Sequence, residues 1–308
     1  MNREYSIEVN NLSKKYEETI ALSKIDLQIK TNELFGVIGP DGAGKTTLFR
    51  TIVTLLLPDE GKVTVEGMDV VTDYKKLRKC IGYMPGNFSL YHDLTVEENL
   101  AFFASIFGTS IKENYDLVKK IYSHIEPFKN RKAGVLSGGM KQKLALSCAL
   151  IHKPKVLVLD EPTTGVDAIS RKEFWTLLQE LKKEGITIIV STPYMDEAEM
   201  CDRIALIHQG QILSIDTPNE MTRKFKKPLY ILQSENNYQL SKLLQQYPNT
   251  FSSYIFGHDL HYIDKTDKPD LENLSSFIKR NNMEVSITKK PPTIEDYFID
   301  AIHELKNE

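Results

Sequence analysis

Gly39-Pro-Asp-Gly-Ala-Gly-Lys-Thr46 stands between a short apolar run, Leu34–Ile38, and a segment of helical periodicity, Lys45–Leu56, which Pro58 and Gly61 close. A strand, a glycine-rich turn and a helix in that order make a phosphate site. Gly39, Gly42 and Gly44, with Pro40, Asp41 and Ala43 between them, let successive backbone N–H groups converge on phosphate oxygens, and the helix start adds positive potential. Lys45 is expected to reach the β and γ phosphates, the Thr46 hydroxyl to ligate magnesium, and Thr47 to extend the nucleotide contact. A second apolar run, Val156-Leu-Val-Leu-Asp-Glu161, ends in two acids. Alone, such a pair more often caps a helix. Downstream of a phosphate loop, Asp160 suits the outer magnesium shell and Glu161 is placed to polarise an attacking water.

Around this centre the chain alternates strands and helices. Ile7–Val9 and Ile25–Ile29 alternate apolar and polar residues as half-buried strands do, and further strands are expected at Val63–Val65, Ile81–Tyr83, Ile186–Val190 and Ile204–Ile207. That order argues for a largely parallel α/β sheet with an antiparallel portion near the N-terminus. From about Leu94 to Leu136 the β signal gives way to helix, opened by a Thr-x-x-Glu capping pattern at Thr95 and Glu98. After Lys227-Pro228 the pattern changes: strand Leu229–Gln233, helix Tyr238–Gln246, hairpin strands Thr250–Phe256 and Leu260–Ile263, helix Asp270–Asn281, strand Glu284–Ile287 and a last helix from Thr293. This βαββαβ order is ferredoxin-like, and the expected domains are 1–227, with a helical subdomain over about 87–136, and 228–308.

With 308 residues, 41% hydrophobic and 26% charged, the chain has ordinary globular composition. A net charge of -3 creates no field for nucleic acid, so none is expected as a partner. Cys80, Cys148 and Cys201 lack metal-ligand spacing and suit a reducing compartment. No run approaches the length of a membrane helix and the start lacks an apolar signal region, so a cytoplasmic location is expected, with any membrane role exerted through a partner.

Leu136-Ser-Gly-Gly-Met-Lys-Gln-Lys143 narrows the class. With it, residues 4–227 resemble the ATP-binding-cassette (ABC) nucleotide-binding domains, for which LSGG-type sequences are a hallmark. The resemblance implies a P-loop NTPase of ABC type, α/β with an antiparallel β portion and a helical subdomain, here followed by a small α+β (ferredoxin-like) domain. It implies ATP and Mg2+ as cofactors and two cassettes closing head to tail, with the signature Leu136, Ser137, Gly138, Gly139 and Met140 serving the opposite subunit's site, where the serine and glycines cap the γ-phosphate. Asp167 matches the family's dimer-contact aspartate, and Tyr16 its adenine-stacking aromatic, although a plain core tyrosine is the alternative. An anion site at a helix start so far from its own phosphate loop points to another chain as the source of the phosphate.

Two positions depart from the family. Gly86, in Ile81-Gly-Tyr-Met-Pro-Gly86, stands where a glutamine usually contacts magnesium and the attacking water, and Pro193 stands where a histidine usually bonds the γ-phosphate. Proline has neither a side-chain donor nor a backbone N–H, and one lost donor of this kind costs about 10²–10³ in rate. His92 and His208 are the histidines nearest in sequence to step in, and each reads better as surface or loop. The expected arrangement is a weakly hydrolytic own site that binds Mg-ATP, paired with a paralogous cassette whose competent site this chain completes; a homodimer with harmless substitutions is the competing account. The resemblance further implies an ABC permease as membrane partner, a peripheral place on the inner face of the membrane, and a docking groove over residues 87–135 to which Phe88, Leu90, Tyr91, Phe102 and Phe103 are candidates. Pro291-Pro-Thr-Ile-Glu-Asp-Tyr-Phe298 resembles the ending of drug and antibiotic exporter ATPases. A nucleotide-gated subunit that never hydrolyses ATP, and a non-transport ABC ATPase, are the remaining readings.

Overall fold

Leu34–Ile38 is buried along its whole length, the environment of a central strand covered on both faces. The computed structural model describes residues 3–87 and 90–305. The chain divides into two compact units, Met1–Pro218 and Asn219–Glu308. Through the first unit run β1 (Tyr5–Tyr16), β2 (Thr19–Lys30), β3 (Leu34–Ile38), α1 (Lys45–Ile52), β4 (Glu60–Val65), β5 (Met68–Asp69), α2 (Tyr74–Leu77) and β6 (Ile81–Met84). Then come α3 (Val96–Ile106), α4 (Ile111–Tyr122), α5 (Gly138–Leu150), β7 (Val156–Asp160), α6 (Ala168–Lys183), β8 (Thr187–Thr192), β9 (Arg203–His208) and β10 (Gln211–Asp216).

One sheet has the order β10-β9-β3-β8-β7-β6, parallel except for β10, and the other is the antiparallel β2-β1-β4-β5. Parallel strands deliver their carboxyl ends to one rim, where ligands of open α/β sheets bind. Here that rim collects the glycine-rich loop after β3, Pro85-Gly86 after β6, Glu161 after β7 and Pro193 after β8.

The sequence expectations catch only the first part of β1, Ile7–Val9, and the last part of β2, Ile25–Ile29. The strands form a long hairpin closed at Glu17, with φ +50°, and three register shifts between Val9 and Lys15 break the alternation that would have revealed their length. Helix α1 stops at Ile52 rather than Leu56: Thr54 takes φ +66°, Leu55 and Leu56 both donate to the Arg50 carbonyl (2.8 and 3.1 Å), and the Arg78 guanidinium holds Thr54 through its hydroxyl and carbonyl. Strands β5 and β10 were not expected; β10 is an edge strand joined to β9 by a tight turn at Gln209-Gly210.

The helical insertion is present. Thr95 accepts from Glu98 N at 3.2 Å while the Glu98 carboxylate accepts from Thr95 N at 2.8 Å, so the capping box forms as expected. Buried Asn99 pins the preceding loop, accepting from Tyr91 N and donating to the carbonyls of Tyr91, Leu94 and Thr95.

After α7 (Pro218–Lys224) the second unit carries β11 (Leu229–Gln233), α8 (Asn237–Leu244), β12 (Thr250–Phe256), β13 (Asp259–Asp264), α9 (Leu271–Arg280), β14 (Ser286–Lys289) and α10 (Ile294–Leu305). The sheet order β12-β13-β11-β14, all antiparallel, is ferredoxin-like; β14 begins two residues later than the sequence reading. Tyr230, Leu232, Leu260 and Tyr262 pack on one face against Leu240, Leu244, Leu274 and Ile278 of α8 and α9. On the other face lies fully buried Asp296 of α10. One of its oxygens accepts from Thr293 N and Oγ1 (2.7 and 2.6 Å), the other from His261 Nδ1 (2.6 Å) and the Tyr254 hydroxyl. The exporter-like ending thus closes a helix cap and ties α10 to the sheet.

Candidate active site

Gly44 adopts φ +104°, and a Cβ there would lie 2.5 Å from the Ala21 carbonyl, so the turn into α1 admits glycine alone. No side chain caps α1, which leaves its first N–H groups directed at the loop. The Lys45 ammonium, 3% exposed, donates to the carbonyls of Gly39 (2.8 Å) and Pro40 (3.0 Å) and lies 3.1 Å from Glu161 Oε1. Gly39 and Pro40 therefore act through their carbonyls, holding the lysine.

Asp160, the last residue of β7, is 2% exposed. The Ser191 hydroxyl on β8 donates to Asp160 Oδ1 at 2.6 Å and accepts from Glu161 N at 2.9 Å, while Glu161 N also reaches the Ser191 carbonyl at 3.1 Å. One serine sets both acids. Glu161 is thrown into the left-handed region (φ +49°), a strained conformation of the sort that gathers at functional sites. Neither acid caps a helix; α6 is capped by Asp167, which accepts from Ile169 N and Ser170 N. Sequence reasoning missed Ser191, whose signal is a hydroxyl at the strand end beside Asp160 in the parallel register.

A cavity of about 770 Å³ joins these groups. Tyr16, Asp41, Gly42, Ala43, Gly44, Lys45, Thr46, Thr47, Gly86, Asp160 and Glu161 all line it. Tyr16, 44% exposed at the end of β1, is a cavity aromatic rather than a core one. The sequence reading missed Arg50 and Tyr83 in the wall. Burial and the Asp160 charge push the Tyr83 hydroxyl up to about 12, so it stays a protonated donor at neutral pH. A Cβ at Gly86 would lie 3.2 Å from the Asp160 carbonyl and 3.9 Å from Glu161 Cβ, so this position faces the acids and brings no functional group. Pro193, His92 and His208 are not among the lining residues. At the last residue of β8, the Thr192 hydroxyl accepts from Tyr194 N (3.0 Å) and donates to buried Glu197 (2.6 Å), bonds that flank Pro193.

Leu136 to Met140 and Asp167 lie outside that cavity. Ser137 caps α5, accepting from Met140 N at 3.4 Å. A Cβ on Gly139 would come within 2.7 Å of Ser170 Oγ, so glycine lets α5 and α6 begin side by side. The bonds from Ser170 and then Ile169 hold the Asp167 carboxyl below the usual carboxylate range. The donor set fits a magnesium nucleotide: loop amides and Lys45 would hold phosphate, the Thr46 hydroxyl would ligate the ion, Asp160 would serve its outer shell, and Tyr16 would take a base.

A second, apolar cavity of about 360 Å³ includes Leu90, Phe103, Ile106 and Leu55, and shares Tyr83 and Pro85 with the first. Tyr91 and Phe102 are exposed and meet edge to face at 4.9 Å; Phe88 lies outside the described residues.

Residues 22–164 match the family described as ABC transporter. The chain is 38% identical to "Probable multidrug ABC transporter ATP-binding protein YbhF" of Escherichia coli (strain K12), over 96% of this chain and 52% of that protein, so it spans about half the length of that relative. It is 31% identical to "Nod factor export ATP-binding protein I" of Rhizobium etli, over 96% of this chain and 92% of that protein. Among solved structures, CbiO1 from Clostridium perfringens, part of the ABC transporter complex cbiONQ, superposes with a TM-score of 0.65 at 28% identity, covering 80% of this chain and 97% of the other. The ATP-binding cassette MJ0796, a dimer in a post-hydrolysis state bound to ADP and Pi, gives 0.62 at 28% identity, over 68% of this chain and 98% of the other.

Proposed function

This chain belongs to the ABC transporter family, and from that premise we propose that it is the ATP-binding subunit of an exporter, driving a separate membrane permease from the cytoplasmic face. Mg-ATP is held by Tyr16, the Gly39–Thr47 loop and Asp160, with Glu161 as the base that polarises the attacking water. Magnesium supplies charge neutralisation of the phosphates; Lys45 holds them and Ser191 fixes the two acids. The observation that carries the reading is the separation of two half-sites. The Ser137–Gly139 helix start lies outside the cavity of the chain's own phosphate loop, so a second cassette brings the phosphate to it.

Export is supported by the multidrug and Nod factor export relatives. The apolar cavity beside Leu90 and Phe103, rimmed by exposed Tyr91 and Phe102, suits a permease helix. With Gly86 and Pro193 in place of donors, the chain's own site is the weaker of the pair, and a paralogous cassette is the fitting partner.

Two variants test this division. Lys45→Ala should abolish binding of a fluorescent ATP analogue, whereas Ser137→Arg should leave it within about twofold and abolish ATP-dependent association with a second cassette. Loss of nucleotide binding in Ser137→Arg would refute separate half-sites.

A further inference from the structure

We propose that the Tyr83 hydroxyl holds the attacking water at this chain's own site, in the role position 86 leaves vacant. The inference rests on the reading of that site as slow but hydrolytic. Strand β6 lies beside β7 in parallel register, Tyr83 against Val158, so Tyr83 stands on the same face of the sheet as Asp160, two residues beyond Val158. Tyr83 and Gly86 share the wall of the nucleotide cavity with both acids. At Gly86 the wall presents no functional group although it faces Asp160 and Glu161. Three residues earlier the same wall carries Tyr83, whose hydroxyl feels the Asp160 charge, and Arg50 lines the cavity with it. A phenol that donates one hydrogen bond and accepts another does for a water what a carboxamide does.

The step itself is ordinary hydrolysis: water oxygen bonds to the γ phosphorus, the bond to the ADP oxygen breaks, and Glu161 takes the water proton. Tyr83 takes no proton and acts by position. It is a positioning residue, so its effect belongs in kcat and not in nucleotide affinity.

The test is Mg-ATP hydrolysis and fluorescent-nucleotide binding by the full chain in four forms: unmodified, Tyr83→Phe, Gly86→Gln, and both. Tyr83→Phe removes only the hydroxyl and should lower kcat between about 10-fold and 100-fold, with KM and nucleotide affinity within about twofold. In the Gly86→Gln background the same change should cost less than about threefold, because the carboxamide then holds the water. An undiminished kcat in Tyr83→Phe overturns the proposal, as does an equal loss in both backgrounds, which marks a packing role. An unmodified chain that binds ATP and hydrolyses none overturns this proposal together with the weak-site reading beneath it, and that outcome is distinct from the other two.

Discussion

Ser191 shows how one buried hydroxyl governs two acids. It donates to Asp160 and accepts from the backbone of Glu161, across the gap between neighbouring strands. Ser191→Ala would leave Asp160 short of a donor and Glu161 N reliant on the Ser191 carbonyl. The expected cost is about 1–2 kcal/mol in urea unfolding, and a fall in kcat of at least about tenfold with nucleotide binding retained. The two acids were legible because their types follow an apolar strand and a phosphate loop. Ser191 was not, since the partner comes from a strand 30 residues further along and only register brings it close. Tyr83 hid for a related reason: in a strand of the core, a tyrosine looks like packing.

At the scale of elements, the parallel strands were legible wherever an apolar run was fully buried, as in Leu34–Ile38 and Val156–Leu159. The β1–β2 hairpin was not, because bulges scramble the alternation, and the early end of α1 was not, because a tertiary partner, Arg78, stabilises the left-handed Thr54. The contact of α5 with α6 is set by Gly139. Gly139→Ala would press a methyl against Ser170, 2.7 Å from its hydroxyl. We expect a loss of about 1–3 kcal/mol and weaker ATP-dependent association with a second cassette, both largely restored by adding Ser170→Gly. Association that is unchanged by Gly139→Ala in analytical ultracentrifugation would separate this packing from the shape of the signature helix.

For the molecule as a whole, the second unit has a buried electrostatic tie of its own at Asp296. Burial pushes its carboxyl up, but His261, Thr293 and Tyr254 together hold it below the ordinary value. A carboxyl depressed in the folded state lends stability above its unfolded pKa of about 3.9 and loses that contribution as pH falls through the folded value. Acid unfolding of this unit should therefore set in below about pH 4. Asp296→Asn should cost about 1–3 kcal/mol near neutral pH, where Thr293, Tyr254 and His261 lose a charged acceptor, and flatten the pH dependence of unfolding in that acid window. An unchanged acid profile by circular dichroism would remove Asp296 from the account. The motif's residues were legible; their work in tying α10 to the sheet was not, since His261 and Tyr254 come from strands whose pairing only the fold reveals.

The central claim is a division of labour, in which this chain binds Mg-ATP weakly poised for hydrolysis and completes a stronger site elsewhere. It is tested most directly by the ATP turnover of the purified chain beside that of Gly86→Gln with Pro193→His. The account predicts slow turnover that rises at least about tenfold in the double variant, as restored donors would give. Turnover of the unmodified chain near the enzyme median of about 10 per second, with no gain from the two changes, would contradict it.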